Sequence, residues 1–457
     1  MIKHKFHYVI FGIIILLVIL RSVFFENIAY KALYDFDEAR YAEIAKNIIL
    51  TNQWFIPLAG GPDDPQQLNY FTLSDGSTLN PYFWKPPLHP QVIAIFYKIF
   101  GINELSVRLP SLIFGIMSLV IIYLISKNIF PKNNFIPLVS IILISSSNNF
   151  SFLTSQGIAE TMLLFFNLLS IYLTLKNKII LTGFFVSVAF MIKSFATFWI
   201  FPLIFLILYQ NNKKDFISKI WKLLVIFFLV CLPWHILMYI NFGNNFINGY
   251  FNANLIQRAT GEQQNIAPIY WYLKYGLEYW RYFYFLLVIS LIPLLKQIQN
   301  HKLYFLIIWV SIIFIPFSLM KSKVWWYVFP MYVPLSIITA WGLNIIFKKS
   351  KLLLIPLTLI VFLFNYQSLK YIGQNTNYNL GIKKIGEKYS NIKPLYVYKI
   401  PYESPLFYLN SHQISRSINS NSQYIITNID YYQELPTEIW RVIEREEGYI
   451  LLKKIIL

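Results

Sequence analysis

Charge is what this sequence lacks most. Charged residues make up 13% of its 457 residues, about half of the roughly 25% found in an ordinary soluble domain. That shortage excludes a soluble, disordered or collagen-like chain. Cysteine is nearly absent. Cys231 is the single one, so an intramolecular disulfide is excluded and the redox compartment cannot be read. Acids are scarce too, 21 against 39 bases, for a formal net charge of +18. There is no internal repeat of fixed period, and no low-complexity segment beyond a bias to Asn, Lys and Ile. What the chain has in quantity is apolar surface, 56% hydrophobic with 19% aromatic. An integral membrane protein fits that balance. A basic excess also suits nucleic acid, but a membrane protein uses it to orient in the bilayer, and no nucleic-acid partner is expected.

A basic start, Met1-Ile-Lys-His-Lys, precedes an apolar run from about Tyr8 to Phe25 with no small-x-small cleavage site after it, which predicts a retained signal anchor. Further spans are predicted at roughly 109–126, 135–148, 159–175, 179–193, 195–209, 223–240, 282–295, 303–320, 327–347 and 352–366. The total is about eleven, several shorter than the ~20 residues of a straight span. With the N-terminus inside, the short cytoplasmic loops carry Lys127, Lys132, Lys176, Lys178, Lys213, Lys214, Lys219, Lys222, Lys296, Lys302, Lys348, Lys349 and Lys351. Every such loop is basic, as the positive-inside rule requires, and of the acids only Asp215 falls on that side. Three substantial segments are left outside: a first loop (26–107), a middle loop (241–281) and the C-terminal segment from 367. The last alternates β-rich runs, Pro394–Ile400 and Gln423–Ile429, with polar stretches read as helical, such as Glu434–Glu447. It is expected to be a small α/β domain.

Ionisable groups at the outer boundary are the informative ones, because they are costly near lipid. Tyr41, Ile44, Ala45, Ile48 and Ile49 follow helical spacing, so an amphipathic helix is expected directly after the first span, lying on the membrane surface. Asp35, Asp37 and Glu38 crowd its start. Asp35-x-x-Glu38 reads as a capping box, and acids there complement the helix dipole. Asp37 is neither cap nor reciprocal partner. A carboxylate there suits a general base acting on a hydroxyl. Lys85 lies in a proline-fixed run, Pro81-Tyr-Phe-Trp-Lys-Pro-Pro, and both interfacial snorkelling and a rigid anion contact account for it. Lys193, Lys323 and Arg258 are further outward cations, Arg108 stands at the outer end of a span, and Glu160 opens another. Together these suggest a cavity for an anionic head group with a lipid tail. A polyprenyl phosphate and an ordinary anionic lipid both match.

The run Asp37-Glu-Ala-Arg-Tyr-Ala-Glu-Ile-Ala-Lys, with Trp54-Phe-Ile-Pro-Leu, Tyr82-Phe-Trp-Lys-Pro-Pro-Leu, Phe100-Gly-Ile-Asn-Glu-Leu-Ser-Val-Arg-Leu-Pro-Ser and Ser322-Lys-Val-Trp-Trp-Tyr-Val-Phe-Pro, resembles a known family in order and spacing. This is the bacterial branch of the GT-C membrane glycosyltransferases, with the lipid A aminoarabinose transferase and relatives of the protein O-mannosyltransferases. The resemblance implies a polytopic α-helical protein of the inner membrane with a GT-C-like transmembrane domain (1–366) and a small periplasmic α/β domain (367–457). It implies transfer of a sugar from a polyprenyl monophosphate to a lipid, glycan or protein acceptor at the periplasmic or external face, with inversion. Asp37 matches the first-loop catalytic aspartate, and Glu160, which falls where the family usually has Asp, is expected to be catalytic with it. Lys85 and Tyr327 match donor-phosphate positions, with Arg258 and Lys323 beside them and Glu38, Arg40, Tyr41, Arg108 and Lys193 in support. Trp84 stands where the family often has Glu, and no His precedes Pro268. Neither departure favours a metal, so no cofactor is expected, a divalent metal staying open. Gly60–Asn80 is longer than usual. Two other readings are a lipid-linked sugar transporter or flippase and a non-catalytic scaffold. A transporter usually shows inverted repeats, and no repeat is visible here.

Overall fold

A computed structural model describes residues 2–25, 27–61, 68, 70–74, 76–261, 266–295, 301–347, 379–390, 392–410, 414–415, 423–436 and 438–455. The chain divides into two compact units. One takes Met1–Phe25, Ser111–Ser155 and Ala159–Tyr371, the other Glu26–Pro110, Gln156–Ile158 and Ile372–Leu457.

The first unit is helical because long apolar runs outside water must satisfy their backbone groups internally. Among the described residues five helical segments are long and apolar enough to cross a membrane: Glu104–Ile129 (which begins in the other unit), Ile179–Thr197, Phe216–Ile256, His301–Leu319 and Trp325–Ile346. The pair Phe135–Ser145 and Asn148–Ser155, bent by 67°, makes a sixth if it is one broken span. Shorter apolar helices occupy Val9–Val23, Glu160–Leu175, Ile200–Asn211 and Phe283–Pro293. The chain is a polytopic helical membrane protein. The expected span at 352–366, with Lys348, Lys349 and Lys351, lies outside the described residues. Phe216–Ile256 turns Val225, Phe228, Leu229, Ile236 and Ile240 outward, a surface made for lipid. Small residues let helices close up. A Cβ on Gly342 would lie 2.7 Å from the Ser290 carbonyl, and the Ser290 hydroxyl bridges to the Thr339 carbonyl at 3.1 Å, the small-residue packing that membrane helices favour.

The second unit carries the sheets. Strands β1 (Leu58–Ala59), β2 (Phe71–Thr72) and β3 (Thr78–Pro81) form a three-stranded antiparallel sheet in the order β1-β3-β2. Helices Asp37–Thr51 and Leu88–Phe100 flank these strands in the chain. Farther on, β4 (Leu395–Tyr398), β5 (Ile414–Ser415), β6 (Tyr424–Asn428), β7 (Trp440–Glu446) and β8 (Tyr449–Lys454) build a five-stranded sheet ordered β5-β4-β6-β8-β7. Pairs β4–β5 and β4–β6 are parallel, and β6–β8 and β7–β8 antiparallel. One face buries Leu395, Val397, Ile426 and Leu451 with Leu406, the other Tyr396, Ile425, Trp440 and Leu452.

One sequence expectation is corrected here. The polar stretch Glu434–Glu447 is not helical among its described residues: half of it, Trp440–Glu446, is strand β7. Glu447 and Gly448 both take positive φ, 43° and 85°, the two-residue turn that matches strand twist. The hairpin therefore registers Glu446 with Tyr449. Helix Leu380–Lys388 comes so close to this hairpin that a Cβ on Gly381 would lie 2.1 Å from the Glu446 carbonyl oxygen. Backbone cannot yield there as a side chain would. Gly381→Ala is expected to destabilise the unit by about 1–3 kcal/mol. Unchanged protection of β7 and β8 amides in hydrogen exchange would refute this.

Candidate active site

Helix Asp37–Thr51 begins abruptly. Its N-cap is Phe36, at φ 64° and ψ −119°, with no side-chain cap. The predicted capping box is therefore absent. Asp35 instead accepts a hydrogen bond from the Ser404 hydroxyl at 2.6 Å, and burial raises its carboxyl above the usual range. Glu38 keeps half of the box, accepting from the Tyr34 amide at 2.6 Å. Its larger commitment is to Arg108, through Nε at 2.7 Å and Nη2 at 3.0 Å, and it also accepts from the Gly157 amide at 2.6 Å.

The helix is also not the half-wetted surface helix that its periodicity suggested. Every residue from Glu38 to Ile48 is buried. Its polar face closes on protein instead of water. Arg40 donates to the Gly60 carbonyl at 2.9 Å and to the Tyr402 hydroxyl, and lies 3.5 Å from Glu43 and 3.6 Å from Glu403. Burial pushes the Glu43 carboxyl up against the pull of Arg40. Burial lowers Lys46 to about 8, and its ammonium donates to the Phe407 carbonyl at 2.9 Å.

Against this closed background Asp37 stands out, its side chain 35% exposed. Lys85 follows β3, and the Tyr82 amide bonds the Pro57 carbonyl at 2.7 Å to hold the strand end. The Lys85 ammonium reaches both Asp37 oxygens, at 3.2 and 3.3 Å, and donates to the Tyr41 hydroxyl at 2.6 Å. Tyr41 stands one helical turn after Asp37, which puts both on one face, and packs edge-on against His89. The result is a solvent-accessible carboxylate beside a buried cation whose second partner is a neutral phenol.

The other unit holds a second cluster. Glu160 opens helix Glu160–Leu175, and its carboxylate pairs with the Lys193 ammonium at the end of helix Ile179–Lys193. Both line a partly open pocket with Trp199, Trp326, Tyr327 and Phe329. Lys193 lies 5.8 Å from the centre of the Trp326 ring. Lys323 is buried, and its ammonium donates to the Ser318 carbonyl at 2.9 Å and to that of Met320. That caps the end of helix His301–Leu319, which accounts for its burial without a ligand. Arg258 belongs to the short helix Gln257–Thr260. Among the described residues no three His, Cys, Asp or Glu side chains gather as a metal site. Sequence reasoning missed Asn379, Tyr402, Glu403 and Ser404. No local pattern marks them, since they meet the first loop from over 300 residues away.

Residues 84–237 match the family model described as dolichyl-phosphate-mannose-protein mannosyltransferase. A protein of Aquifex aeolicus (strain VF5) is 28% identical over 333 residues, 70% of this chain and 62% of its own. The undecaprenyl phosphate-alpha-4-amino-4-deoxy-L-arabinose arabinosyl transferase of Wigglesworthia glossinidia brevipalpis is 26% identical over 375 residues, 75% of this chain and 62% of its own. The chain thus spans less than two thirds of the length of these relatives. In fold, the crystal structure of ArnT from Cupriavidus metallidurans bound to undecaprenyl phosphate matches 98% of both chains, with a TM-score of 0.75 at 16% identity. The chain has the fold of that ArnT structure. The likeness in fold covers nearly the whole chain, the extent that the sequence resemblance implies.

Proposed function

We propose that this GT-C chain is a glycosyltransferase of the inner membrane. It moves a sugar from a polyprenyl monophosphate to a hydroxyl on a lipid, glycan or protein, at the periplasmic or external face. The observation that carries the reading is the Asp37–Lys85–Tyr41 arrangement. The names of the matched transferase and of the undecaprenyl phosphate complex support the donor class. The acceptor oxygen attacks the anomeric carbon and Asp37 takes its proton. The bond from that carbon to the phosphate oxygen breaks, and its electron pair stays on the phosphate. An incoming phosphate gives Lys85 a second anion. Drawing Lys85 toward it frees the Asp37 carboxylate and steadies the charge that grows on the leaving group. A base across the sugar from that leaving group gives inversion. In the other unit Glu160 stays a candidate catalytic carboxylate, and the pocket that it lines with Lys193 and Tyr327 suits an anionic group. Arg258 stays a candidate phosphate contact, and Lys323 ranks below it because its ammonium already caps a helix.

The test is reconstitution in vesicles with a panel of polyprenyl-phosphate sugars and envelope lipid, glycan and protein acceptors. Free polyprenyl phosphate should appear in step with glycosylated acceptor by mass spectrometry. If every donor instead crosses the bilayer with its sugar attached, the chain is a transporter.

A further inference from the structure

The backbone immediately before Asp37 is under strain that its own residue does not relieve. Phe36 holds φ 64° and ψ −119°, a conformation that side chains with a Cβ avoid. The residue is 65% exposed, so burial of its side chain does little to offset the cost. The turn must be held by its neighbours: Arg108 and the Gly157 amide fix Glu38 after it, and a second set comes from the C-terminal part of the same unit.

The Tyr408 hydroxyl accepts from the Leu33 amide at 2.8 Å, and the Asn379 amide donates to the Leu33 carbonyl at 2.8 Å. Asn379 also donates to the Ser404 oxygen at 2.8 Å, and the Ser404 hydroxyl passes the chain of hydrogen bonds on to Asp35. The Ser404 backbone amide and the Asn379 side chain also act on that carboxylate. Past the turn, Tyr402 takes a bond from Arg40. Contacts from Asn379 and from Tyr402 to Tyr408 therefore grip the chain on both sides of Phe36. Asp37, the first helical residue, is left to project with the direction that this grip sets.

We propose that helix Glu403–Tyr408, acting through Ser404 on Asp35, is a positioning clamp that aims the Asp37 carboxylate at Lys85. The clamp rests on the glycosyltransferase reading for its catalytic consequence, but its structural content stands apart from it. Ser404, Asp35 and Asn379 touch no reacting atom; they act through the turn. With the Ser404 hydroxyl removed, Phe36 relaxes toward negative φ and Asp37 shifts by a fraction of its own length. Displacements of about 1 Å cost on the order of a hundredfold in rate.

Ser404→Ala in the full-length protein tests this, with Ser404→Thr as the variant that keeps the hydroxyl. Ser404→Ala is expected to lower kcat about 10- to 100-fold with the donor KM within about twofold. Ser404→Thr is expected to recover most of the loss. In hydrogen exchange, the Ala39 and Arg40 amides, which bond Tyr34 and Phe36, should exchange faster in Ser404→Ala while β6 and β8 keep their protection. Wild-type kcat with wild-type exchange overturns the clamp. So does a loss of kcat that comes with faster exchange throughout the five-stranded sheet, because the residue is then merely structural. If the wild-type protein transfers no sugar, the function of Asp37 falls, and exchange at Ala39 and Arg40 alone decides the clamp: faster in Ser404→Ala upholds it, unchanged overturns it.

Discussion

Asp37→Asn is expected to lower sugar transfer by about 10²- to 10⁴-fold, the range typical of losing a general base, with little change in donor KM. The substitution is nearly isosteric, and the side chain is 35% exposed, so folding does not depend on it. Asparagine keeps an oxygen to accept from Lys85, whose ammonium stays anchored on the Tyr41 hydroxyl at 2.6 Å. What disappears is the ability to take the acceptor's proton. A fall in kcat without a change in donor KM separates that loss from a loss of binding. Transfer within about threefold of wild type in Asp37→Asn would remove Asp37 from the chemistry. The same variant discriminates a transporter, which has no proton to abstract from an acceptor hydroxyl.

The second large effect concerns stability. Arg108→Met is expected to cost about 3–5 kcal/mol, because it leaves the Glu38 charge buried without its partner. All five guanidinium donors of Arg108 are placed. Nε and Nη2 grip Glu38 in a fork, Nη1 donates to the carbonyls of Ile28 at 3.2 Å and Lys31 at 2.6 Å, and Nη2 donates to Ala32 at 2.9 Å. Both side chains are 1% exposed. Without Arg108, three carbonyls lose donors and one carboxylate loses its countercharge. The thermal midpoint in detergent should fall on the order of 10 °C, at about 2–4 °C per kcal/mol for a unit of this size. Glu38→Gln with Arg108→Met should be milder than Arg108→Met alone, since no charge is then left buried without its partner and the amide oxygen still accepts from one of the Gly157 and Tyr34 amides. A midpoint for Arg108→Met within about 1 °C of wild type would refute the account.

Both effects centre on one helical turn, and the sequence displayed part of it. Asp37, Glu38 and Lys85 are legible because charge is rare in this chain and conspicuous where it occurs, and Tyr41 through the helical spacing of its neighbours. Their environments were misjudged in one consistent way. Charges at helical spacing were read as facing water or lipid headgroups, yet Glu38, Arg40, Glu43 and Lys46 are buried among partners from elsewhere in the chain. The stretch Glu434–Glu447 likewise reads as a solvated helix because it is polar and rich in Glu, until β8 pairs beside its strand residues. Periodicity reports which residues share a face. It does not report what that face meets.

The class of molecule and most of its described apolar helices are legible in the sequence, because the partition of apolar side chains out of water and the demand for internal backbone hydrogen bonds act locally, run by run. The sequence also determined that the few acids and the unusual cations of the first loop are the groups to follow. Only the tertiary structure decided what each of them does. It pairs Asp37 with Lys85, seals Glu38 under Arg108, spends Lys323 on a helix end, and brings Ser404 to the turn before Asp37 across 369 positions. Hydrogen bonds and ion pairs are settled by proximity within a few ångströms, and proximity between distant segments is created by folding.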